Sequence, residues 1–266
     1  MNSTHHQGTA VITGASSGIG AVYAERLAQR GYDLILVARN RERLDQLAAR
    51  IKAGSGRAVA VVVADLGAAE DLRRVEKILS SDASISVLVN NAGAGATASL
   101  LDSDPAQMEA MIDLNVIALT RLTQAIAAQF VARGRGTLIN IASVVGIAPE
   151  ILNGVYGATK AFVIALSQAL QHELADTGVR VQAVLPGATR TKFWSDAGNP
   201  VENLPQEIVM SVDDMVDAAL AGLDQGELVT IPALPDAGDW YAFEAARATL
   251  RPNLSRSQPA ARYAVH

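Results

Sequence analysis

Of the five tyrosines in the chain, Tyr156 is the only one with a lysine four residues on, and there are only four lysines to supply such a pair. Residues i and i+4 share one face of a helix, so the Lys160 ammonium can stand beside the Tyr156 phenol. A free phenol ionises near pH 10 and is a poor base at neutrality. A nearby cation favours the phenolate, lowers that pKa and brings Tyr156 toward acid–base work. Ser143 follows the strand-like run Leu138 to Ile141. Carboxyl ends of strands gather around the crevice of an open α/β sheet, where a hydroxyl can hold a substrate oxygen. Taken alone, the Tyr156–Lys160 pair also reads as a partly exposed tyrosine beside a surface lysine.

A second constellation suits an anion. Thr13-Gly-Ala-Ser-Ser-Gly-Ile-Gly20 follows a β-branched run and opens an amphipathic one. A helix N-terminus offers unpaired N–H groups and a positive dipole end, so a pyrophosphate fits there. Gly14, Gly18 and Gly20 let the backbone turn sharply and approach phosphates. Ser16 and Ser17 add hydroxyl donors, and Ile19 sits in the opening turn. The spacing is neither the common G-x-G-x-x-G nor a nucleoside-triphosphate P-loop, since no Gly-Lys-Ser/Thr follows. A tight βα turn that uses glycine only for its geometry is the other reading.

The elements that must position these groups alternate. Strands are predicted at Thr9–Thr13, Leu34–Val37, Ala58–Val63, Val87–Val89, Leu138–Ile141 and Val179–Leu185, with a seventh at Leu228–Ile231. Helices are predicted from about Ile19 to Arg30 (Gly31 ending it), from Arg41 to Lys52, around Val75, Ile78 and Leu79, from Pro105 to Arg133 and from Val155 to Ala175. Such alternation argues for α/β architecture: one doubly wound Rossmann-type domain over residues 1–266, with a parallel sheet of about seven strands and helices on both faces. Residues 188–212, rich in Gly, Pro, Asn and Asp, read as a substrate loop able to act as a lid. From 252 the chain is weakly patterned.

The chain has 266 residues, 50% of them hydrophobic, and a formal net charge of −5. Its mean hydropathy is +0.20. That is apolar enough to predict a large two-faced core or buried subunit contacts. The mildly acidic balance argues against nucleic-acid and anionic-lipid partners. With no cysteine, disulfides, thiolate nucleophiles and zinc–cysteine sites are excluded. No signal-length apolar run opens the chain, and the longest unbroken one, Ala58 to Ala64, is far short of about 20 residues. A cytoplasmic location without membrane insertion is therefore expected. No metal is expected either, because His5, His6, His172 and His266 lack helical ligand spacing. Glu150 and Glu173 form no pair suited to glycosidase chemistry.

The glycine turn, Asn90-Asn-Ala-Gly93, Asn115, Ser143, and Tyr156 with Lys160 together resemble the short-chain dehydrogenase/reductase family, over about Thr9 to Thr191. The resemblance implies an NAD(P)-binding Rossmann fold, a homodimer or homotetramer, and an Asn115–Ser143–Tyr156–Lys160 catalytic set. It implies that Lys160 also contacts the nicotinamide ribose and that Asn115 holds a water in a proton relay. The implied reaction is hydride transfer between the nicotinamide and a small-molecule carbonyl/alcohol substrate, with Tyr156 moving the proton on oxygen.

Further cofactor contacts follow from the same resemblance. Asn91, Ala92 and Gly93 would line the adenine-ribose side, or form a turn capping a strand. Asp65 and Leu66 would meet the adenine, or Asp65 would cap a helix. Pro186, Gly187, Thr189 and Thr191 resemble the segment that closes over the nicotinamide amide and phosphate; an ordinary proline–glycine turn is the alternative. At the end of the second strand, where an acid would bind the ribose of NAD, stands Arg39, which suits the 2′-phosphate of NADP; Arg43 is placed to assist. Ser17 stands where many NADP-preferring relatives carry a basic residue. This serine argues against NADP, but Arg39 outweighs it: NADP(H) is favoured, with NAD(H) possible and a solvated Arg39 the bland alternative.

Ala94–Ser99, Val144–Gly154 and the loop beyond Thr191 should build the substrate pocket. Val144, Val145, Ile147, Ile151, Leu152, Phe193 and Trp194 make it apolar, which favours an apolar or aromatic carbonyl compound. Phe193 and Trp194 read equally well as core or subunit-contact residues. Two other functions fit the motifs: a cofactor-sensing binding protein without turnover, and an epimerase or dehydratase that uses the cofactor transiently.

Overall fold

A computed structural model describes residues 7–263. His5, His6 and His266 therefore lie outside the described residues. In chain order the elements are β1 (Thr9–Thr13), α1 (Gly18–Gln29), β2 (Asp33–Ala38), α2 (Arg41–Ser55), β3 (Val59–Val63), α3 (Ala69–Ser81), β4 (Ile85–Asn90), α4 (Pro105–Ile112), α5 (Leu119–Arg133), β5 (Gly136–Ile141), α6 (Gly154–Glu173), β6 (Val179–Val184), α7 (Phe193–Asp196), α8 (Val212–Gln225), β7 (Val229–Thr230) and α9 (Ala237–Thr249). The strands form one parallel sheet of order β3-β2-β1-β4-β5-β6-β7. Winding reverses between β1 and β4, the switch point at which such sheets open a crevice.

Strand periodicity divides the sheet into two faces. In register, Ile35, Val11, Leu88, Leu138 and Val181 run across one face, where they pack with Leu79, Leu122, Ile126 and Phe130 of α3 and α5. One residue further on, Leu36, Ile12, Val89 and Ile139 run across the other. There they meet Tyr23, Leu44, Val216 and Leu220 of α1, α2 and α8. The central strands are thus covered on both sides, whereas β3, whose continuous apolar run reads from sequence as a doubly covered strand, lies at the sheet edge with Ala60 exposed and Val61, Val62 and Val63 only partly buried. A third group, Ala183, Leu185, Val163 and Ile164, seats α6.

The predicted helix over 105–133 is interrupted. Asp113–Ala118 forms a π-helical turn between α4 and α5, and Asn115 lies inside it. By length and composition, Pro105–Arg133 is apolar enough to cross a membrane. Here its buried face packs onto the sheet. The loop over 188–212 is also more ordered than its composition suggests, containing α7 and short 3-10 turns at Val201–Asn203 and Gln206–Ile208.

The chain divides into two compact units, one ending at Pro232 and one beginning at Ala233. The first holds the sheet. The second holds α9, in which Trp240 stacks on Phe243, followed by 3-10 turns at Arg251–Asn253 and Ala261–Tyr263.

Candidate active site

The β1–α1 turn is built so that backbone, not side chains, fills its interior. Gly14 and Gly18 hold φ values of +65° and +54°, a region side chains disfavour. A Cβ on Gly20 would stand 2.5 Å from both the Asn91 amide nitrogen and the Gly14 carbonyl. Ser17 caps α1 in extended conformation without using its hydroxyl, so the first turn still has N–H groups to offer. Ser16 is half-buried, and Ile19 packs against the core. This cradle fits the pyrophosphate of a dinucleotide.

Asn91 turns its side chain onto the glycine turn. Its amide donates to the Thr13 and Gly14 carbonyls at 2.8 and 3.3 Å, bracing the turn. The Thr13 hydroxyl in turn accepts from the Asn91 and Ala92 N–H groups at 2.9 and 3.0 Å. Gly93 lies beside the catalytic candidates, since a Cβ there would be 3.1 Å from Asn115 Oδ1 and 3.6 Å from Lys160 Nζ.

Arg39 is exposed at the carboxyl end of β2 and makes no ion pair among the described residues. Asn40 caps α2 by accepting from the Arg43 N–H, which leaves the Arg43 side chain outward and exposed. Asp65 accepts from the Gly67 N–H at 3.0 Å, a local turn. It does not cap α3, whose capping position is Ala68. The Leu66 side chain is buried in the core under that turn.

Across the crevice, Pro186 accepts hydrogen bonds from the Val144 N–H at 3.1 Å and the Ser143 hydroxyl at 3.3 Å. The Thr189 hydroxyl donates to the Gly187 carbonyl, and the Thr191 hydroxyl donates to the Thr189 carbonyl. A Cβ on Gly18 would lie 3.2 Å from Thr191 Cγ2, so the segment after β6 touches the glycine turn.

Tyr156 and Lys160 lie one turn apart on α6, both buried. The Asn153 side-chain oxygen caps that helix, accepting from the Val155 and Tyr156 N–H groups at 2.9 and 3.1 Å. The Asn153 amide donates to the Ala98 carbonyl at 2.6 Å and to Ser103 Oγ at 3.1 Å. Sequence reading missed this residue, although an asparagine just before a helical run is a known capping signal.

The electrostatics differ from the sequence expectation. Burial pushes the Tyr156 phenol up to about 12, opposed by a hydrogen bond with Ser143. Lys160 is anchored to the strand beside it. Its ammonium sits 5.8 Å from the phenol ring centroid and donates to the Ile141 carbonyl at 2.9 Å. Burial pulls the Lys160 pKa down to about 8. Desolvation thus moves the two groups toward their neutral forms.

Asn115 is engaged on every side. Its Oδ1 accepts from the Ala94 N–H at 2.9 Å, while its Nδ2 donates to the Ala94 carbonyl at 2.8 Å and to Thr159 Oγ1 at 3.0 Å. Both amide hydrogens are thus held by protein. The side chain ties the 94 segment to α6.

The wall beside Tyr156 is apolar. Met111, Val145 and Tyr156 pack with Ala94, Ala96, Leu152, Val155 and Phe193. Ile147 and Ile151 are exposed nearby in sequence. Trp194 is buried, and its indole N–H donates to the Thr189 carbonyl at 3.0 Å, so it anchors the loop.

A seven-stranded parallel sheet, a phosphate-cradling first turn and a buried Ser-Tyr-Lys cluster at its crevice define a dinucleotide-dependent oxidoreductase. Residues 8–201 match the family model described as short chain dehydrogenase. The chain belongs to the short-chain dehydrogenase/reductase family and is an NAD(P)-dependent oxidoreductase. It is similar to an uncharacterised oxidoreductase of Staphylococcus epidermidis, 37% identical over 84% of this chain and 93% of that one. Among solved structures, a short-chain dehydrogenase from Sphingobium yanoikuyae in complex with NADPH is 52% identical, with a TM-score of 0.94 over 97% of this chain and all (100%) of that one. A bulky-bulky ketone specific alcohol dehydrogenase from Comamonas testosteroni is 45% identical, with a TM-score of 0.90 over 98% of this chain and 100% of that one.

Proposed function

We propose that this enzyme interconverts ketones bearing apolar substituents on both sides and their secondary alcohols, with NADP(H) preferred over NAD(H). The observation that carries the reading is the buried Tyr156 phenol, one helical turn from buried Lys160 on α6 and packed against an apolar wall. The neighbour from Comamonas, described as specific for bulky-bulky ketones, supports the substrate class. The NADPH complex of the Sphingobium neighbour and the exposed Arg39 support the cofactor preference.

Bound in the β1–α1 cradle and against Thr189 and Thr191, the dinucleotide would supply hydride exchange with the carbonyl carbon. The remaining work falls to the protein. The Ser143 hydroxyl donates to the carbonyl oxygen and fixes it beside Tyr156. In reduction, the Tyr156 O–H gives its proton to that oxygen as negative charge develops there, and a phenol kept protonated by burial suits this direction. The Lys160 ammonium, held by the Ile141 carbonyl, offers positive potential to the tyrosinate that remains. Asn115 holds the Ala94 segment in place and acts as a positioning residue.

A second copy of the chain as partner is part of this reading. Ile117, on the π-helical turn, and Phe162, on α6, are exposed apolar side chains that pairing across a two-fold axis would cover. A cytoplasmic location remains part of the same proposal.

The test follows NADPH absorbance with a panel of ketones, aldehydes and alcohols, wild type beside Tyr156→Phe. Turnover of apolar ketones that falls at least a hundredfold in Tyr156→Phe, with NADPH affinity retained, is the expected result. NADPH binding without oxidation would point to a sensor, and turnover without net cofactor change to an epimerase.

A further inference from the structure

Phe193 and Trp194 are adjacent, yet they face different surroundings. Trp194 is buried and tied to the Thr189 carbonyl. Phe193 is only half-buried. Its ring centroid stands 5.5 Å from that of Tyr156, tilted by 42°, and 5.7 Å edge-on from Trp194. The far side of the ring rests on Gly95. A Cβ at that glycine would lie 2.2 Å from Phe193 Cζ and 2.5 Å from Cε2, so the ring tip occupies the volume that any side chain at 95 would fill. Gly95 has no positive φ to explain the glycine; what it provides is room. The two segments are also tied together, because the Thr97 N–H and hydroxyl both donate to the Ala197 carbonyl, at 3.1 and 2.8 Å.

Resting on the carbonyl-reductase reading above, we infer that the Phe193–Gly95 pair is the size gauge of the substrate pocket. The ring lies against the catalytic phenol, so its position sets how large a group fits on that side of the carbonyl. Gly95 lets the ring retract fully, and Trp194 fixes the backbone from which it projects. Short α7 therefore acts as a specificity element of known register, its first residue in the pocket and its second in the core.

The test compares two ketones with NADPH: acetophenone, with one small substituent, and valerophenone, with two large ones. Phe193→Ala should raise the valerophenone-to-acetophenone ratio of kcat/KM at least tenfold, as expected when several methylene groups gain or lose a pocket. Gly95→Ala should lower the same ratio, because the displaced ring tip must move off its seat. In the double variant Gly95→Ala should have no further effect, since the ring it displaces is gone. A wild type active on both ketones whose ratio is unchanged by Phe193→Ala, or two substitutions acting independently, overturns the gauge alone. A wild type idle on every ketone overturns the carbonyl reading and the gauge with it, and is seen before any variant is made.

Discussion

The Lys160 ammonium donates to the Ile141 carbonyl at 2.9 Å while standing 5.8 Å from the ring centroid of Tyr156. The lysine is thereby anchored to the end of β5, the strand whose continuation delivers Ser143. One backbone carbonyl thus fixes the cation in relation to the serine, and Tyr156 meets both from α6. Because both side chains are buried, their neutral forms are favoured, and the group that works against this on the phenol is the Ser143 hydroxyl.

Ser143→Ala should therefore shift the pH dependence of alcohol oxidation upward. Loss of a hydrogen bond to the ionised phenol raises its pKa further, by roughly one to two pH units for a bond to a charged group. The measurement is kcat/KM for an alcohol with NADP against pH. A profile that keeps its midpoint while losing only amplitude would assign Ser143 to substrate binding alone.

Lys160→Met carries a signed stability expectation. In the folded state the amine pKa lies near 8, below its ordinary value of 10.5. The folded chain therefore carries the full cost of a buried cation below pH 8, and that cost fades as pH rises toward 10.5. The stability of Lys160→Met relative to wild type should accordingly be highest near pH 7 and fall by up to a few kcal/mol as pH approaches 10. Denaturant melts at pH 7, 8.5 and 10 measure this; a pH-independent difference contradicts it. Tyr156 does not blur the window, since its folded pKa lies about two units above it and its opposite contribution begins only above pH 10.

Arg39→Ala should remove most of the preference for NADPH. A charge-assisted hydrogen bond to a phosphate contributes about 1.5–3 kcal/mol, so the NADPH-to-NADH ratio of kcat/KM should drop by roughly ten- to a hundredfold. NADH kinetics should stay nearly constant. Comparable values for NADH and NADPH in the wild type would defeat the argument before the variant is made.

What the sequence discloses about this site is whatever is local. The strands announce themselves as β-branched runs, the α1 turn by its glycines, and the Tyr156–Lys160 pair by helical spacing. What it conceals is contact between distant segments. Nothing near Lys160 names the Ile141 carbonyl as its partner, and a spacing argument alone brings it to the phenol instead. Asn115 is visible as a candidate, but its attachment to Ala94 and the π-helical turn that holds it are tertiary facts. Nothing in the sequence around Asn91 shows that its amide is bonded to the glycine turn. Leu66 lies in a segment the family uses for adenine, yet its side chain belongs to the core.

Asn153 offers the last test, because one side chain there performs two separable tasks. Its oxygen caps α6 at the Val155 and Tyr156 N–H groups, and its amide holds the Ala98 carbonyl and Ser103. Asn153→Ala loses both. Loss of the cap costs about 0.5–2 kcal/mol, and the two amide hydrogen bonds lost, to the Ala98 carbonyl and to Ser103, add about 0.5–1.5 kcal/mol each. At about 2–4 °C per kcal/mol for a domain of this size, Tm should fall by roughly 3–20 °C. Asn153→Asp keeps the cap, with a negative charge well placed at a helix N-terminus, but turns a donor into an oxygen facing the Ala98 carbonyl. Its α6 should stay intact while the 94–103 segment loosens. The expected signature is a kcat loss in Asn153→Ala that exceeds that in Asn153→Asp, because Tyr156 follows the cap. KM for the ketone should rise in both, because both release the pocket wall. Equal kcat losses in the two variants would show that Asn153 acts on the wall only and that α6 holds Tyr156 without it.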